Sequence, residues 1–415
     1  MKQSFAIIIT VLFSTMSFAQ TLDDYFKIAA DNNPGLQAVF KEYEAALQKV
    51  PQVNALPDPV FSFGYFFSPA ETRVGPQRAK FSLTQMFPWL GTLKARGDAA
   101  ALLAEAKFQD FIDSRNNLFF RVAAAYYPLY ELKEWIRIEE ENISILESYK
   151  SIATQKFKNG TGTMVDVLRV DIMLQDAQTD LRILRNKEKP LMTTFNMLLN
   201  RPENEMVKIN EALEPEILID HFREDSLIAA NPMLKALDLK LQAGKAAELA
   251  SQKQGLPQFG LGLDYVMVGE RNDMTLTDNG KDILMPMISV SIPIFRNKFK
   301  ASVKEAQFMQ ESYTYQKEEL ANILTSDYEM AWFEVQQQEQ LMKLYEQQIQ
   351  TSQQSLNLLF TSYGNSGKEF EEVLRMQQQL LKFRKLRSAA LTQYQVAVAK
   401  INYLTSKAYK YENPG

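Results

Sequence analysis

The stretch from Arg296 to Tyr363 contains neither glycine nor proline. As one helix it would reach roughly 100 Å at about 1.5 Å per residue, where globular helices average about 10–14 residues. Its apolar residues step by four and three, through Leu320, Leu324, Tyr328, Ala331 and Val335, then Met342, Tyr345 and Ile349, then Leu356, Leu359 and Tyr363. That spacing is a heptad-like seam, broken by the polar Gln338 and Ser352. By itself the stretch reads as a solvated coiled-coil rod. What precedes it and what copies it change that reading.

The chain carries two registers of internal similarity. Asn33-Pro34 returns as Asn231-Pro232, and Pro59, Phe61 and Gly64 return as Pro257, Phe259 and Gly262, all 198 residues on. Further along the offset becomes 206: Lys94-Ala95 matches Lys300-Ala301, Glu105 matches Glu311, Ala125 matches Ala331, and Val167-Leu168-Arg169 matches Val373-Leu374-Arg375. One shift of eight residues, placed in the loop between two strands where insertions are tolerated, reconciles both registers. The reading is an internal duplication of residues 20–214 and 215–415, with its seam near Leu213 to Pro215. Each copy runs helix, two short strands, one great helix, a Gly-containing turn and a second long helix. In each copy a helix begins at the Asn-Pro pair, with proline near its first turn. A proline-bearing break (Pro51, Pro57 and Pro59, or Pro257) precedes the strands, and Pro128 interrupts the first great helix at a place that falls on Glu334 in the second copy.

The strands set one apolar face against one small or polar face. Phe61, Phe63, Tyr65 and Phe67 alternate with Ser62, Gly64 and Phe66; Phe81 and Leu83 alternate with Ser82 and Thr84. Phe259, Leu261, Leu263 and Tyr265 alternate with Gly260, Gly262 and Asp264; Ile288, Val290 and Ile292 alternate with Ser289 and Ser291. A soluble sheet covering a core also alternates, but the second face here is rich in Gly and Ser, as a wet lumen requires. Strands of about 8–10 residues suit a transmembrane β-barrel, with the charged stretches around Glu71 and Arg73, and around Glu270, Arg271 and Asp273, as external loops. The lipid-facing set is Phe61, Phe63, Tyr65, Phe81, Leu83, Phe259, Leu261, Leu263, Ile288 and Val290. Four strands cannot close a barrel, and an open edge in lipid leaves backbone groups unpaired at several kcal/mol each. Several chains must therefore pool their strands.

Composition narrows the function. With 46 Lys+Arg against 50 Asp+Glu, the charge balance gives no reason to expect nucleic acid. It has no cysteine, which removes disulfides, thiolate metal sites, cysteine catalysis and a lipidated N-terminal cysteine. The single histidine, His221, has no Ser/His/Asp arrangement to join and reads as an exposed loop residue, so no enzyme, cofactor or metal site is expected. The 17 methionines read as packing residues. Lys2, the apolar run Phe5–Phe13 and the small-x-small Ser17-Phe18-Ala19 form a signal peptide over residues 1–19, so the mature chain is exported.

These residues together resemble the TolC family of outer-membrane efflux ducts across essentially the whole mature chain. The resemblance rests on the repeated element order, the two Asn-Pro pairs, and the strand-to-helix passages Ser82–Pro88 and Ser289–Phe295. It also rests on the turn Phe157-Lys158-Asn159-Gly160-Thr161-Gly162-Thr163 followed by Met164-Val165-Asp166-Val167-Leu168. It implies a mixed α and β fold in which a homotrimer forms a twelve-stranded transmembrane β-barrel, continued by a long α-helical periplasmic barrel. It implies a passive exit duct in the outer membrane of a Gram-negative bacterium, serving a tripartite efflux or type I secretion system. Its expected partners are outer-membrane lipid, a periplasmic adaptor protein and an inner-membrane transporter. Drugs, soft metal ions and secreted polypeptides all fit such a duct. The alternative is a structural or adhesive surface coiled-coil protein, against which the paired amphipathic strands count.

The resemblance places the turns Gly160-Thr161-Gly162 and Gly364–Gly367 at the periplasmic mouth, where Gly160, Thr161, Gly162, Gly364 and Gly367 would meet the adaptor. A helix-hairpin turn alone also accounts for the glycines. Just beyond, Asp166 and Arg169 match Glu372 and Arg375, with Glu371 alongside. Repeated by three-fold symmetry, these five residues would ring the constriction. Resembling proteins place an acid at the Asp166 position, and some carry a second acid three residues on, where this chain has Arg169 and Arg375. That departure speaks against a cation-binding ring and for an Asp/Glu–Arg latch, beside the simpler reading of i,i+3 surface pairs.

Overall fold

The computed structural model describes residues 21–209, 213, 229–366 and 370–406. Seven helices and four strands follow in the order α1 (Leu22–Asn32), α2 (Pro34–Asn54), β1 (Val60–Thr72), β2 (Gly75–Phe87), α3 (Thr92–Lys158), α4 (Met164–Leu198), α5 (Pro232–Gln254), β3 (Gln258–Val268), β4 (Ile283–Ser291), α6 (Asn297–Ser366) and α7 (Phe370–Leu404). The sequence 'helix, hairpin, great helix, long helix' thus occurs twice, as α2-β1-β2-α3-α4 and α5-β3-β4-α6-α7. The signal segment, His221 and Gly367 lie outside the described residues, as does Pro215 at the expected seam.

Both Asn-Pro pairs start helices. The Asn33 side chain accepts from the Leu36 N–H and that of Asn231 from the Met233 N–H, with Pro34 and Pro232 in the first turn. Their Nδ2 atoms donate to the Leu198 and Leu404 carbonyls, so each cap also ties the start of one helix to the end of another. The short helix α1 was not anticipated. Its signal is a capping box in which the Thr21 hydroxyl and the Asp24 carboxylate each accept from the other residue's N–H.

The great helices are 67 and 70 residues long and span the length of the bundle. α2 packs on α3 near the sheet and α4 packs on α3 farther away; α5 and α7 successively fill the space between α3 and α6. The result is one layer in the order α2/α4, α3, α5/α7, α6. The seam read from the sequence is the face that α6 buries: Leu324, Tyr328, Ala331, Val335, Leu356 and Tyr363 are all covered, and so is Ser352 at a polar gap. Its partners are helices of the same chain, with Leu324, Tyr328, Ala331 and Val335 packed on Tyr394, Ala397, Val398 and Ile401 of α7. This intramolecular packing replaces the solvated rod.

Two proline expectations are corrected. Pro51 lies inside α2 rather than in the break after it, and α3 continues through Pro128 without interruption. An interior proline removes one helical hydrogen bond. Here the flanking Tyr126, Tyr127, Leu129 and Tyr130 are all buried, and that packing holds the helix together across the gap.

The strands form a single antiparallel sheet in the order β1-β2-β3-β4. Three exceed the expected length, at 13, 13 and 11 residues, and β4 meets it at 9. Glu71, expected in a loop, belongs to β1, and the β1–β2 connection is a tight turn at Arg73-Val74 closed by Gly75, with φ at 132°. The connection between β3 and β4 is longer, Gly269 to Asp282. It lies in the interval where the two sequence registers change offset.

Candidate functional site

Two regions bear on function, the sheet at one end of the helical layer and the helix turns at the other. Directly opposed residues on neighbouring strands project to one face. On one face Phe63 lies opposite Phe81 and Phe81 opposite Tyr265, with ring centroids 5.0 and 6.3 Å apart. Leu83 pairs with Leu263, Leu261 with Ile288, and Phe259 with Val290. All ten residues of the expected lipid-facing set fall on this face. Nine of them are exposed, and Phe81 is half-buried among neighbouring rings.

The other face mixes small, polar and methionine side chains, with Met86 opposite Gly260 and Met287 opposite Gly262. Gly260, Gly262, Ser82, Thr84 and Ser289 occupy it in register. A Cβ on Gly260 would lie 2.2 Å from Ser289 Oγ and 2.6 Å from Met86 Sδ, so neighbouring side chains already fill the space above it. Asp264 is fully buried on this face and forms an ion pair with Lys80 of β2. No sequence spacing reveals that pair, because it depends on the β2–β3 register.

At the sheet's outer end the long connection folds onto the short one. The Gly280 N–H donates to the Val74 carbonyl and the Gly269 N–H to the Pro76 carbonyl, each at 2.7 Å. Asn279 holds the Arg271 backbone on both sides, accepting at 2.9 Å and donating at 3.0 Å. Asp273 sits against the Arg271 guanidinium, which holds the Asp273 carboxyl below its usual range.

At the far end α3 turns into α4. Gly160 has φ at 73°, the left-handed conformation that favours glycine. The N–H groups of Thr161 and Gly162 both reach the Lys156 carbonyl, at 2.9 and 3.1 Å. Gly162 has no positive φ, but a Cβ there would come within 2.9 Å of Lys156 Cβ. The second turn differs from expectation: Gly364 is helical, because α6 runs on to Ser366. Lys156 of α3 reaches the end of α6, where its Nζ donates to the Tyr363 and Gly364 carbonyls at 3.0 and 3.1 Å and lies 4.8 Å from the Tyr363 ring centre. Tyr363 stacks on Phe370 at 4.4 Å, and burial together with the Asp166 charge raises its phenol pKa.

The five candidate gate residues divide into three arrangements. Asp166 is 9 % exposed and belongs to the α4 capping box, accepting from the Thr163 hydroxyl at 2.8 Å and the Thr163 N–H at 3.3 Å. Arg169 makes no pair with Asp166; it crosses to Glu371 of α7 at 2.9 Å. Arg375 pairs with Glu372 one turn back on its own helix. The matched positions of the two halves are therefore not equivalent in structure: one arginine bridges the halves and the other stays local. Lys156 and Thr163 are the participants that the sequence reading missed. Thr163-x-x-Asp166 is a visible capping-box pattern, whereas the reach of Lys156 depends on how α3 meets α6.

These features define a class, a helical layer ending in a sheet with one apolar face exposed. The sequence profile of the outer membrane efflux protein family matches residues 26–188 and 225–405. The chain belongs to that family, whose members are outer-membrane channels. In structure it is similar to CusC (TM-score 0.77, 15% identity, 92% of this chain and 91% of that one). It is similar also to the outer-membrane channel OprN (0.74, 15%, 93% and 90%) and to the outer membrane protein VceC of Vibrio cholerae (0.72, 14%, 92% and 95%). No curated protein sequence matches the chain. Among the described residues no helix is long and apolar enough to cross a membrane.

Proposed function

We propose that the chain is the exit duct of a tripartite efflux or type I secretion system. Three copies pool their strands into a twelve-stranded barrel in the outer membrane, and their helical layers close into a periplasmic tunnel. The observation that carries this is the sheet itself: four strands, an exposed apolar face, a polar opposite face and unpaired outer edges at β1 and β4. Backbone groups at such edges are tolerable in lipid only when another strand completes the ladder. The two edges of the helical layer support the same assembly. Phe308, Tyr315, Met330, Phe333 and Leu358 of α6, and Ile172 and Ile183 of α4, are apolar yet exposed in the single chain.

The duct works passively. Its lumen is lined by the Gly, Ser and Thr face of the sheet, and an inner-membrane transporter joined through a periplasmic adaptor supplies the energy. The tips at Gly160, Thr161, Gly162, Gly364 and Gly367 meet the adaptor. Asp166, Arg169, Glu371, Glu372 and Arg375 surround the mouth, where Arg169–Glu371 ties α4 to α7. The two halves descend from a duplication, 20–214 and 215–415, behind a cleaved segment at 1–19. Light scattering of the detergent-extracted mature chain, corrected for bound detergent, is expected to give three chains, and the same species is expected to form channels in a planar bilayer. A water-soluble monomer with no conductance overturns the proposal.

A further inference from the structure

At the helical end of the sheet a band of exposed apolar residues adjoins a band of unopposed positive charge. Leu90 is 86 % exposed and Phe295 81 %, and Ile292 and Ile294 are exposed beside them. Trp89 lies against Phe259, with ring centroids 5.9 Å apart, so this collar is continuous with the apolar face of the sheet. Aromatic residues in such a place sit at headgroup level.

Immediately beyond come Lys94 in the first turn of α3 and Arg296, Lys298 and Lys300 around the start of α6, all exposed. None forms an ion pair among the described residues. The sequence explains why: no Asp or Glu occurs between Glu71 and Asp98, or between Asp282 and Glu305. Asp58, just before β1, is the one carboxylate in the connections at this end of the sheet. Lys253 is engaged separately, donating to the Leu90 carbonyl at 3.1 Å. Two long helices also begin here, and their N-termini add positive potential. The N-cap residue of α3, Gly91, has no side chain with which to cap that helix.

We propose that this collar binds the anionic phospholipid headgroups of the membrane leaflet on the helical side, with Lys94, Arg296, Lys298 and Lys300 holding phosphate and Leu90 and Phe295 seated among the acyl chains. The proposal rests on the reading of the sheet as a membrane barrel. A lipid surface fits better than a soluble anion because the charge lies one step beyond an apolar band continuous with the barrel face. That is the order of groups found across a leaflet. Exposed basic residues near an anionic bilayer each contribute to attraction that falls off within a Debye length.

The test compares the mature chain with the variant Lys94→Gln/Arg296→Gln/Lys298→Gln/Lys300→Gln. Both are reconstituted in vesicles of phosphatidylethanolamine with or without 20 % phosphatidylglycerol, and co-purifying lipid is counted by native mass spectrometry. The wild type is expected to enrich phosphatidylglycerol over its bulk fraction, and the variant to fall back to the bulk fraction while still inserting and conducting. A Lys298→Arg/Lys300→Arg variant is expected to retain it. Equal enrichment by both proteins, with channels formed, overturns the collar alone. Failure of the wild type to insert into either vesicle overturns the barrel reading and the collar with it. Enrichment of added lipid A over phosphatidylglycerol would assign the charge to the opposite leaflet and also overturn the proposal.

Discussion

At the scale of single residues, two carboxylates have unlike surroundings. Asp113 on α3 is half-buried beside Tyr403 of α7, and burial, reinforced by the Asp110 charge, pushes its carboxyl up to about 6 despite the Tyr403 hydrogen bond. The folded state therefore binds a proton more readily than the unfolded chain between about pH 4 and 6. Stability is greatest below that window and falls as pH rises through it, by on the order of 2 kcal/mol after allowance for partial exposure. Asp113→Asn is expected to flatten this dependence and to melt higher than wild type at pH 7.5, read by circular dichroism of the helices at pH 4.5 and 7.5. A variant with the wild-type pH profile counts against it. Asp166 instead closes the α4 capping box. Its carboxylate supplies the N3 half of that box, so Asp166→Ala is expected to speed amide exchange several-fold in the first turn of α4. Exchange elsewhere should stay unchanged.

At the scale of elements, the far turns carry the clearest functional prediction. Arg169 joins α4 to Glu371 of α7, and Arg375 fixes Glu372 locally. If these pairs hold the mouth narrow, Arg169→Ala or Arg375→Ala raises single-channel conductance in a planar bilayer, and unchanged conductance in both removes the latch. The asymmetry of the two pairs makes Arg169→Ala the stronger change, because only its partner lies on another helix. The elements themselves were largely legible in the sequence. Period-2 alternation set the sheet faces, Asn-Pro set two helix starts, and the seam on α6 named its buried face. What escaped depends on tertiary packing: α3 passing through Pro128, Gly364 remaining helical, and Lys156 reaching across to Tyr363. The Lys80–Asp264 pair escaped for a related reason, since register between strands far apart in the chain is invisible to local pattern.

At the scale of the whole molecule, the apolar residues left bare on α6 and α4 predict assembly through the edges of the helical layer. Phe333 is exposed in the single chain and lies on the helix that borders the layer. If the proposed trimer assembles through this edge, Phe333→Asp is expected to shift the detergent-extracted protein from three chains toward one while leaving its helical circular dichroism intact. A variant that remains trimeric removes this surface from the contact.

In the assembly proposed above, the open sheet bears on how the duct is made as well as what it does. A lone copy suits neither solvent: its Phe and Leu face is costly in water, and its β1 and β4 borders are costly in hydrocarbon. Adding a second copy covers one border of each but still leaves two bare, and only closure of the ring leaves none. Completion of the ring is then the step that stabilises all the copies at once. The rate at which channels form should climb more steeply than the rate at which the chain is synthesised, and a cell making half as much of it should have fewer than half as many pores.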